Sequence, residues 1–447
     1  MDLTSALAWL DSHINHEVAS GAGIAAGSVD GLTLEPMRRM CAAMGDPQTA
    51  YPTLHVTGTN GKGTVVAMVE SLLASSGLVV GSTTSPHIAI INERIRRNGE
   101  PIGDIDLAEV LTELSDLEIL VGERLSWFEL VTAAAFGWFA TESVDVAVVE
   151  VGLLGRFDAT NVVESTVSVI TNIGRDHTDG RDDWQRRVAW EKAGIVRSGT
   201  DVVLGEIDDA LVDLVRAERP ARIFRIGHEI QLVEARRALG GHVVDIVTPW
   251  VEHTDVFVPL HGRRQVDNAA ISVATVEAFF DRPLDSELVR TALASTLAPA
   301  RVDVIAHRPL VVIDGAHNRD AVEHLVDALE GELSVAGTRI CVVGMLTGRD
   351  PLDVLEPLAA LGVDLLICTT PPTARALPAA ELDRAARSIG LVTEVRPDAQ
   401  QAVRAALALA TADDVVVICG SFTLAEPARR EVDRFVASRP RRSDGDI

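Results

Sequence analysis

Sulfur, aromatic rings, positive charge and long apolar runs are all scarce in this chain, and each shortage excludes something. There are four cysteines, Cys41, Cys341, Cys368 and Cys419. None is paired at metal-ligand spacing and three lie inside apolar runs, so they read as buried core thiols in a reducing compartment. Lys and Arg number 40 against 65 Asp and Glu, a net charge of −25. That disfavours nucleic acid as a partner, because a phosphate backbone needs clustered cations; a small anion needs only a local positive pocket. No apolar run reaches the roughly 18 residues that a membrane span requires. The opening "MDLTSALAWLDSHINHE" has no basic segment followed by an apolar block, so no signal peptide is expected. A cytoplasmic protein follows, with no membrane partner and with monomer as the default state.

What is present is a large apolar fraction, 47% of 447 residues. The chain is too long for one ordinary core, so two domains are expected. Short Val- and Ile-rich runs recur at 53–57, 145–152, 166–172, 200–205, 310–315, 339–344, 364–370 and 414–420. They lack polar alternation, which predicts strands buried on both faces of parallel sheets. Helical stretches at 65–76, 128–141, 185–196, 266–280, 320–331 and 400–411 lie between them, giving an α/β class with doubly wound sheets. "STLAPARVDVI" (295–305) marks a boundary near residue 298, with domains 1–297 and 298–447. Ligands of open α/β sheets bind beyond the carboxyl ends of strands, which directs attention to Gly58, Glu150, Asn172, Asp314 and Gly420.

The stretch "LHVTGTNGKGTVVAMVESLLASSG" (54–77) is a strand, a glycine loop and an amphipathic helix. Gly58, Gly61 and Gly63 permit positive φ and close backbone approach. Backbone N–H groups and the helix N-terminus then face an anion, with Lys62 as a point charge. The loop is shorter than the usual P-loop, and Gly63 stands where a Ser or Thr normally follows the lysine.

Other polar residues end buried runs. Ser85 precedes Pro86 in "STTSPHIAIINERI" (82–95); it is an ordinary Ser-Pro turn or, near phosphates, a Mg²⁺ ligand. Glu150 ends a buried strand and needs a cation there. Asp176 and His177 follow the next strand, and on local grounds His177 is structural, since Mg²⁺ prefers oxygen. Lys192 in "AWEKAGIV" is either a salt-bridge partner or an amine that CO₂ converts to a carbamate able to bind a second metal.

Together, "HVTGTNGKGT", "TTSPHIAIINERIRRNGEPI", "VVEVGLLGRFDATNVV", "VITNIGRDHTD", "EKAGIV", "VVIDGAHN" and "VVGMLTGRD" resemble the folylpolyglutamate synthase/dihydrofolate synthase family of the Mur ligase superfamily, in matching order over about residues 30–425. The resemblance implies a P-loop domain with a doubly wound, mostly parallel sheet and a smaller Rossmann-like C-terminal domain. It implies an ATP-dependent ligase that adds L-glutamate to dihydropteroate or tetrahydrofolate through an acyl phosphate. The alternative is a Mur-type ligase joining another amino acid to another carboxylate, but too few residues precede the loop for the domain that binds UDP-linked substrates. By resemblance, Thr59, Asn60, Gly61, Lys62, Gly63, Thr64, Asn268, Arg301 and Asp314 contact ATP. Ser85, Glu150 and His177 bind Mg²⁺, with two ions expected, which reverses the local reading of Ser85 and His177. Lys192 is the lysine to be carbamylated, and His317 serves glutamate or phosphate. The pterin falls to Asp30, Gly31 and Leu32, to Ser126, Trp127, Phe128 and Glu129, and to Phe157, Asp158 and Ala159; the rings of Trp127, Phe128 and Phe157 could stack on it. Two departures from the family stand out: Leu154 where a glycine is usual, and the segment 179–184 after "DHT".

Overall fold

Each of the Val- and Ile-rich runs is a strand. The computed structural model describes residues 1–15, 33–176, 182–333 and 337–438. The chain divides into two compact units, Met1–Ala298 and Pro299–Ile447.

The first unit is built on eight strands: β1 (Thr53–Thr57), β2 (Val80–Thr83), β3 (Ile95–Arg97), β4 (Glu100–Pro101), β5 (Val146–Glu150), β6 (Ser165–Asn172), β7 (Asp201–Glu206) and β8 (Arg222–Arg225). Their order is β4-β3-β2-β5-β1-β6-β7-β8. From β2 to β8 every pairing is parallel; β3 and β4 add an antiparallel edge. The inner strands are buried along their length, as their unbroken β-branched sequences require. Helices cover the faces. Lys62–Ser75 begins at Gly61, whose φ of +85° turns the chain out of the loop. Trp127–Thr141 begins with a reciprocal cap: Ser126 Oγ accepts from Glu129 N, and Glu129 Oε2 accepts from Ser126 N at 2.7 Å.

A second sheet was not anticipated from the sequence. Strands β9 (Gln231–Ala238), β10 (Gly241–Val247) and β11 (Glu252–Val258) form an antiparallel ladder ordered β11-β10-β9. Only one face is apolar: Val244, Ile246, Val256 and Val258 join Val266, Ala269, Ala270 and Val273 of the helix Arg263–Phe280 in one core. Two-sided hydrophobic runs were the signal sought, and a one-sided sheet with an exposed edge strand does not give it.

One buried polar link ties this sheet to its helices. His253 Nε2 lies 3.1 Å from Glu277 Oε1, and His253 Nδ1 lies 2.9 Å from Ser286 Oγ. Glu277 Oε1 also accepts from Leu284 N at 2.9 Å. Both the His253 and Glu277 side chains are fully buried.

The second unit has β12 (Asp303–His307), β13 (Leu310–Ile313), β14 (Arg339–Val343), β15 (Leu365–Thr370), β16 (Thr393–Asp398) and β17 (Val415–Cys419), ordered β12-β13-β17-β14-β15-β16. Only β12 runs antiparallel. Its core includes Val312, Val343, Leu366 and Val417 under the helix Arg319–Gly331. Cys341, Cys368 and Cys419 are buried free thiols here; burial pushes the first two up to about 12. Among the described residues no helix is long and apolar enough to cross a membrane.

Removing one member of a buried hydrogen-bonded pair strands the other in a low dielectric. Glu277→Ala is expected to cost the first unit about 3 kcal/mol, read as a lowered urea midpoint with native circular dichroism below it.

Candidate active site

The strand order β2-β5-β1-β6 puts four carboxyl ends side by side. Thr83 pairs with Val149, Val56 with Glu150, and Thr57 with Ile170. The segments leaving these ends carry Ser85, Glu150, the glycine loop and Asn172, although more than 80 residues separate Ser85 from Asn172 in sequence.

The loop is pressed onto the end of β6. A Cβ on Gly58 would meet Thr171 Oγ1 at 1.8 Å, and one on Gly61 would meet Asn268 Oδ1 at 2.8 Å. Asn268 is held by its amide, which donates to Gln265 Oε1 at 2.9 Å, so it lies against the loop. Asn172 shapes the turn. Its Oδ1 accepts from Thr59 N at 3.2 Å and Asn60 N at 3.0 Å, and its Nδ2 donates to Asn60 O at 3.0 Å. Thr171 Oγ1 donates to the same carbonyl at 2.6 Å, and Thr59 Oγ1 accepts from Gly174 N at 2.9 Å. The amides of Thr59 and Asn60 are therefore spent on the loop itself. Lys62 Nζ folds back, donating to Gly58 O at 3.0 Å.

Glu150 is 3% exposed. Its Oε2 accepts from Ser85 N at 3.1 Å and stands 3.4 Å from where a Gly63 Cβ would be. Next to Gly63, the Thr64 hydroxyl is buried with no hydrogen-bond partner. The Glu150 carboxylate, with the Ser85 backbone bonded to it, and the orphaned buried hydroxyl of Thr64 are hard oxygen donors that fit a Mg²⁺ ion. His177, the third expected ligand, lies outside the described residues. Among the described residues no group of three His, Cys, Asp or Glu side chains is placed to hold a metal.

Lys192 sits on the buried face of the helix Trp184–Ala193. Its pKa is lowered to about 7, chiefly by burial and secondarily by the charge of Lys62, against the opposing charges of Asp176, Glu191 and Asp158. Its neighbour Glu191 is fully buried with neither carboxyl oxygen hydrogen-bonded, and burial raises its pKa. Lys62 and Lys192 are the only two lysines in the chain; every other strongly basic side chain is an arginine. That count is a sequence signal for the site which motif reading passed over. Leu154, where the resemblance calls for glycine, has φ +59°. A leucine thus holds a left-handed position, costing about 1 kcal/mol, while its carbonyl accepts from Thr57 Oγ1 at 2.7 Å and its side chain packs on Val188. The other departure, 179–184, falls partly outside the described residues.

The residues expected at a pterin fare unevenly. Asp30, Gly31 and Leu32 lie outside the described residues. Ser126 and Glu129 are engaged in the helix cap. Trp127 is a core side chain: it is buried, its indole N–H donates to Asp11 Oδ1 at 3.1 Å, and the Arg94 guanidinium lies 4.8 Å from its ring centroid. Burial and this cation–π contact leave it no open face for stacking. The Phe128 ring packs on Gly152, 2.3 Å from where a Cβ would stand. Asp158 accepts from Leu153 N at 2.8 Å and from the Thr160 N–H and hydroxyl at 3.0 and 2.5 Å. Burial raises its pKa against those hydrogen bonds. Thr160 in turn lies 2.9 Å from Nε2 of buried His55, whose pKa burial lowers to about 3. Ala159 opens the short turn Ala159–Val162. Phe157 borders a cavity of about 590 Å³ that is also lined by Leu34, Arg38, Asn161 and Arg197.

In the second unit, Asp314 is buried at the end of β13. Its carboxylate accepts from Val302 N and Ala316 N, both at 2.6 Å. Burial raises its pKa and the Arg301 charge opposes the rise. Arg301 is flanked by two residues with positive φ, Ala300 at +57° and Val302 at +46°. For a β-branched residue this is strained backbone, and Asp314 helps to hold it. The Arg301 guanidinium lies 4.5 Å from the Phe422 centroid, and the His317 ring meets Phe422 edge-on at 6.0 Å. His317 Nδ1 lies 2.6 Å from Gly315 O, and Arg349 donates to His317 O at 3.0 Å. Phe422 and Arg349 thus join the predicted residues; Arg349 lies in the quoted "VVGMLTGRD" without having been assigned a role, and no local motif announces Phe422.

Comparison with known proteins identifies the family. The Mur ligase middle domain matches residues 56–276, and the Mur ligase glutamate ligase domain matches 300–422. The dihydrofolate synthase/folylpolyglutamate synthase of Mycobacterium tuberculosis is 36% identical over 371 residues, covering 77% of this chain and 75% of that protein. The folylpolyglutamate synthase of Lacticaseibacillus casei is 34% identical over 399 residues, covering 87% and 91%. The crystal structure of the Mycobacterium tuberculosis folylpolyglutamate synthase with ADP and AMPPCP superposes with a TM-score of 0.87 at 31% identity over 98% of both chains. The Escherichia coli FolC complex with DHPP and ADP gives 0.83 at 29% identity over 98% and 99%. The chain is a member of the folylpolyglutamate synthase/dihydrofolate synthase family, the ATP-dependent folate ligases of the Mur ligase superfamily.

Proposed function

We propose that this chain joins L-glutamate to the carboxylate of a folate-type acceptor, dihydropteroate, tetrahydrofolate or both, at the expense of ATP. The observation that carries the reading is the meeting of the glycine loop, Ser85 and Glu150 at adjacent strand ends, beside the only two lysines of the chain.

The acceptor carboxylate attacks the γ-phosphorus of ATP. A carboxyl–phosphate bond forms, the β–γ bridging P–O bond breaks and ADP leaves. The α-amine of glutamate then adds to the acyl carbon, loses a proton and expels phosphate, leaving an amide. The difficulty is charge, since a carboxylate must approach a triphosphate. The N-terminus of the helix Lys62–Ser75 and the Lys62 ammonium supply the positive end. Asn268, seated on Gly61, borders the nucleotide. Ser85, Glu150 and Thr64, with His177, would hold Mg²⁺, which would neutralise charge on the phosphates. With its pKa lowered to about 7, Lys192 has a neutral fraction near neutral pH that can take up CO₂ with loss of a proton and become an anionic carbamate, which would hold a second Mg²⁺. Phe128 and Phe157 offer rings to the pterin, and Arg301 and Asp314 serve the nucleotide. His317 serves glutamate or phosphate.

Phosphate release from ATP with Mg²⁺ and glutamate is expected only when dihydropteroate or tetrahydrofolate is added; release independent of a pterin acceptor would reject the folate reading. Lys62→Ala should lose about a hundred- to a thousandfold in kcat, an order set by removing one group that stabilises the developing charge, with an unchanged melting temperature.

The amine of Lys192 is protonated below about 7 and only the neutral form attacks CO₂. In ¹³C-labelled bicarbonate, NMR should therefore show a carbamate signal that fades about tenfold per pH unit below that value. With only two lysines and the terminal α-amine to separate, the assignment is direct: the Lys192 signal should persist in Lys62→Ala and be lost in Lys192→Ala, which keeps only that of the terminal amine. Activity of Lys192→Ala should be partly restored by a short carboxylic acid. An unrestored, inactive variant with no carbamate in the parent protein would leave simple charge pairing.

A further inference from the structure

The segment leaving β2 makes a loop that closes on itself. Thr84 N donates to Arg94 O at 3.1 Å and Thr84 Oγ1 to Glu93 O at 3.3 Å, so the neck of the loop is pinned. Between these residues the backbone has little regular structure until the short turn Ile91–Arg94. Its tip is not held by burial: Ala89 and Ile90 are exposed, Ile90 by 55%. Hydrogen bonds hold it instead. The Glu93 carboxylate gathers three consecutive backbone amides, from Ile88 N at 2.8 Å and from Ala89 N and Ile90 N at 3.0 Å each. The next residue, Arg94, is buried, donates from Nε to His87 Nδ1 at 2.8 Å and rests over Trp127. Ser85 is thus fixed from two directions, through its own amide to Glu150 and through the rest of its loop to Glu93 and Arg94.

An exposed tip can reach water and needs no carboxylate in order to fold. Charge-assisted bonds to three successive amides are a costly arrangement for a merely connecting segment, because the side-chain freedom of Glu93 is given up for them. We propose that Glu93 is a positioning residue of the metal site. By organising residues 88–90 while Arg94 holds His87, it sets the loop that presents Ser85 toward the phosphates and Mg²⁺. Trp127 then acts through Arg94 as the floor under that loop. The inference rests on the proposed ligase activity for its purpose, but not for its test.

The test compares the full-length protein with Glu93→Ala, Glu93→Gln and Glu93→Asp. Hydrogen–deuterium exchange over residues 84–94, Mn²⁺ affinity with a non-hydrolysable ATP analogue by electron paramagnetic resonance, metal-free ADP affinity and melting temperature are read for each. Glu93→Ala should speed exchange at residues 88–90 and weaken Mn²⁺ binding about tenfold, the usual cost of removing a group that orients a metal ligand. Metal-free ADP affinity and melting temperature should stay at the parent values. Glu93→Gln should fall between, since one amide oxygen can still accept while its NH₂ turns toward a third N–H. Glu93→Asp should recover part of the Mn²⁺ affinity. Unchanged Mn²⁺ affinity in Glu93→Ala, or an equal loss of metal-free ADP binding and of melting temperature, overturns the proposal. Absence of pterin-dependent phosphate release by the parent protein would remove the folate activity but leave these binding outcomes decisive.

Discussion

The hydroxyl of Thr171 occupies the space that a side chain on residue 58 would need. The glycine loop lies in direct contact with the end of β6, and much of the site follows from that contact. With the loop this close, the Asn172 side chain can take the amides of Thr59 and Asn60 and donate to the Asn60 carbonyl. A turn braced in this way needs fewer residues than a free-standing one, which gives a physical reason for its shortness. It also delivers the chain into the helix Lys62–Ser75 at Gly61, with Lys62 in the first turn.

Chemical economy separates the two kinds of cation. Arginine stays charged at any accessible pH and binds in a fixed fork, whereas lysine is a compact charge whose proton can be removed when buried. This chain uses arginine for its surface and interior ion pairs and keeps lysine for two places. Lys62 lies on loop carbonyls as a cation. Lys192 is buried, and the Lys62 charge lowers its pKa further. One lysine lies on the loop as a charge; the other has its pKa lowered mainly by burial, with the first lysine's charge adding to the shift.

Several residues that looked like ligand contacts in the sequence make structural contacts of their own. Ser126 and Glu129 start a helix, Trp127 carries Arg94, and Asp158 ties Thr160 to the 152–153 backbone. A short motif shows which polar groups are near each other, but not which partners have already claimed them. Glu93 is the converse case: a charged residue with no evident role in the sequence, whose carboxylate organises a loop of the site.

The sequence by itself determined whatever depends on neighbours along the chain. Unbroken β-branched runs specified the buried parallel strands, glycines at 58 and 61 specified the loop, and the resemblance of ordered motifs specified the ligase family. The one-sided antiparallel sheet of β9–β11 escaped because its signal is spread over alternating positions. Tertiary structure alone decided the strand order β2-β5-β1-β6, which brings Ser85, Glu150, the loop and Asn172 to one edge. It alone decided the lowered pKa of Lys192 and gave Phe422 its place between Arg301 and His317. Each of these depends on desolvation, or on contacts between residues distant along the chain, and neither is written in any local stretch.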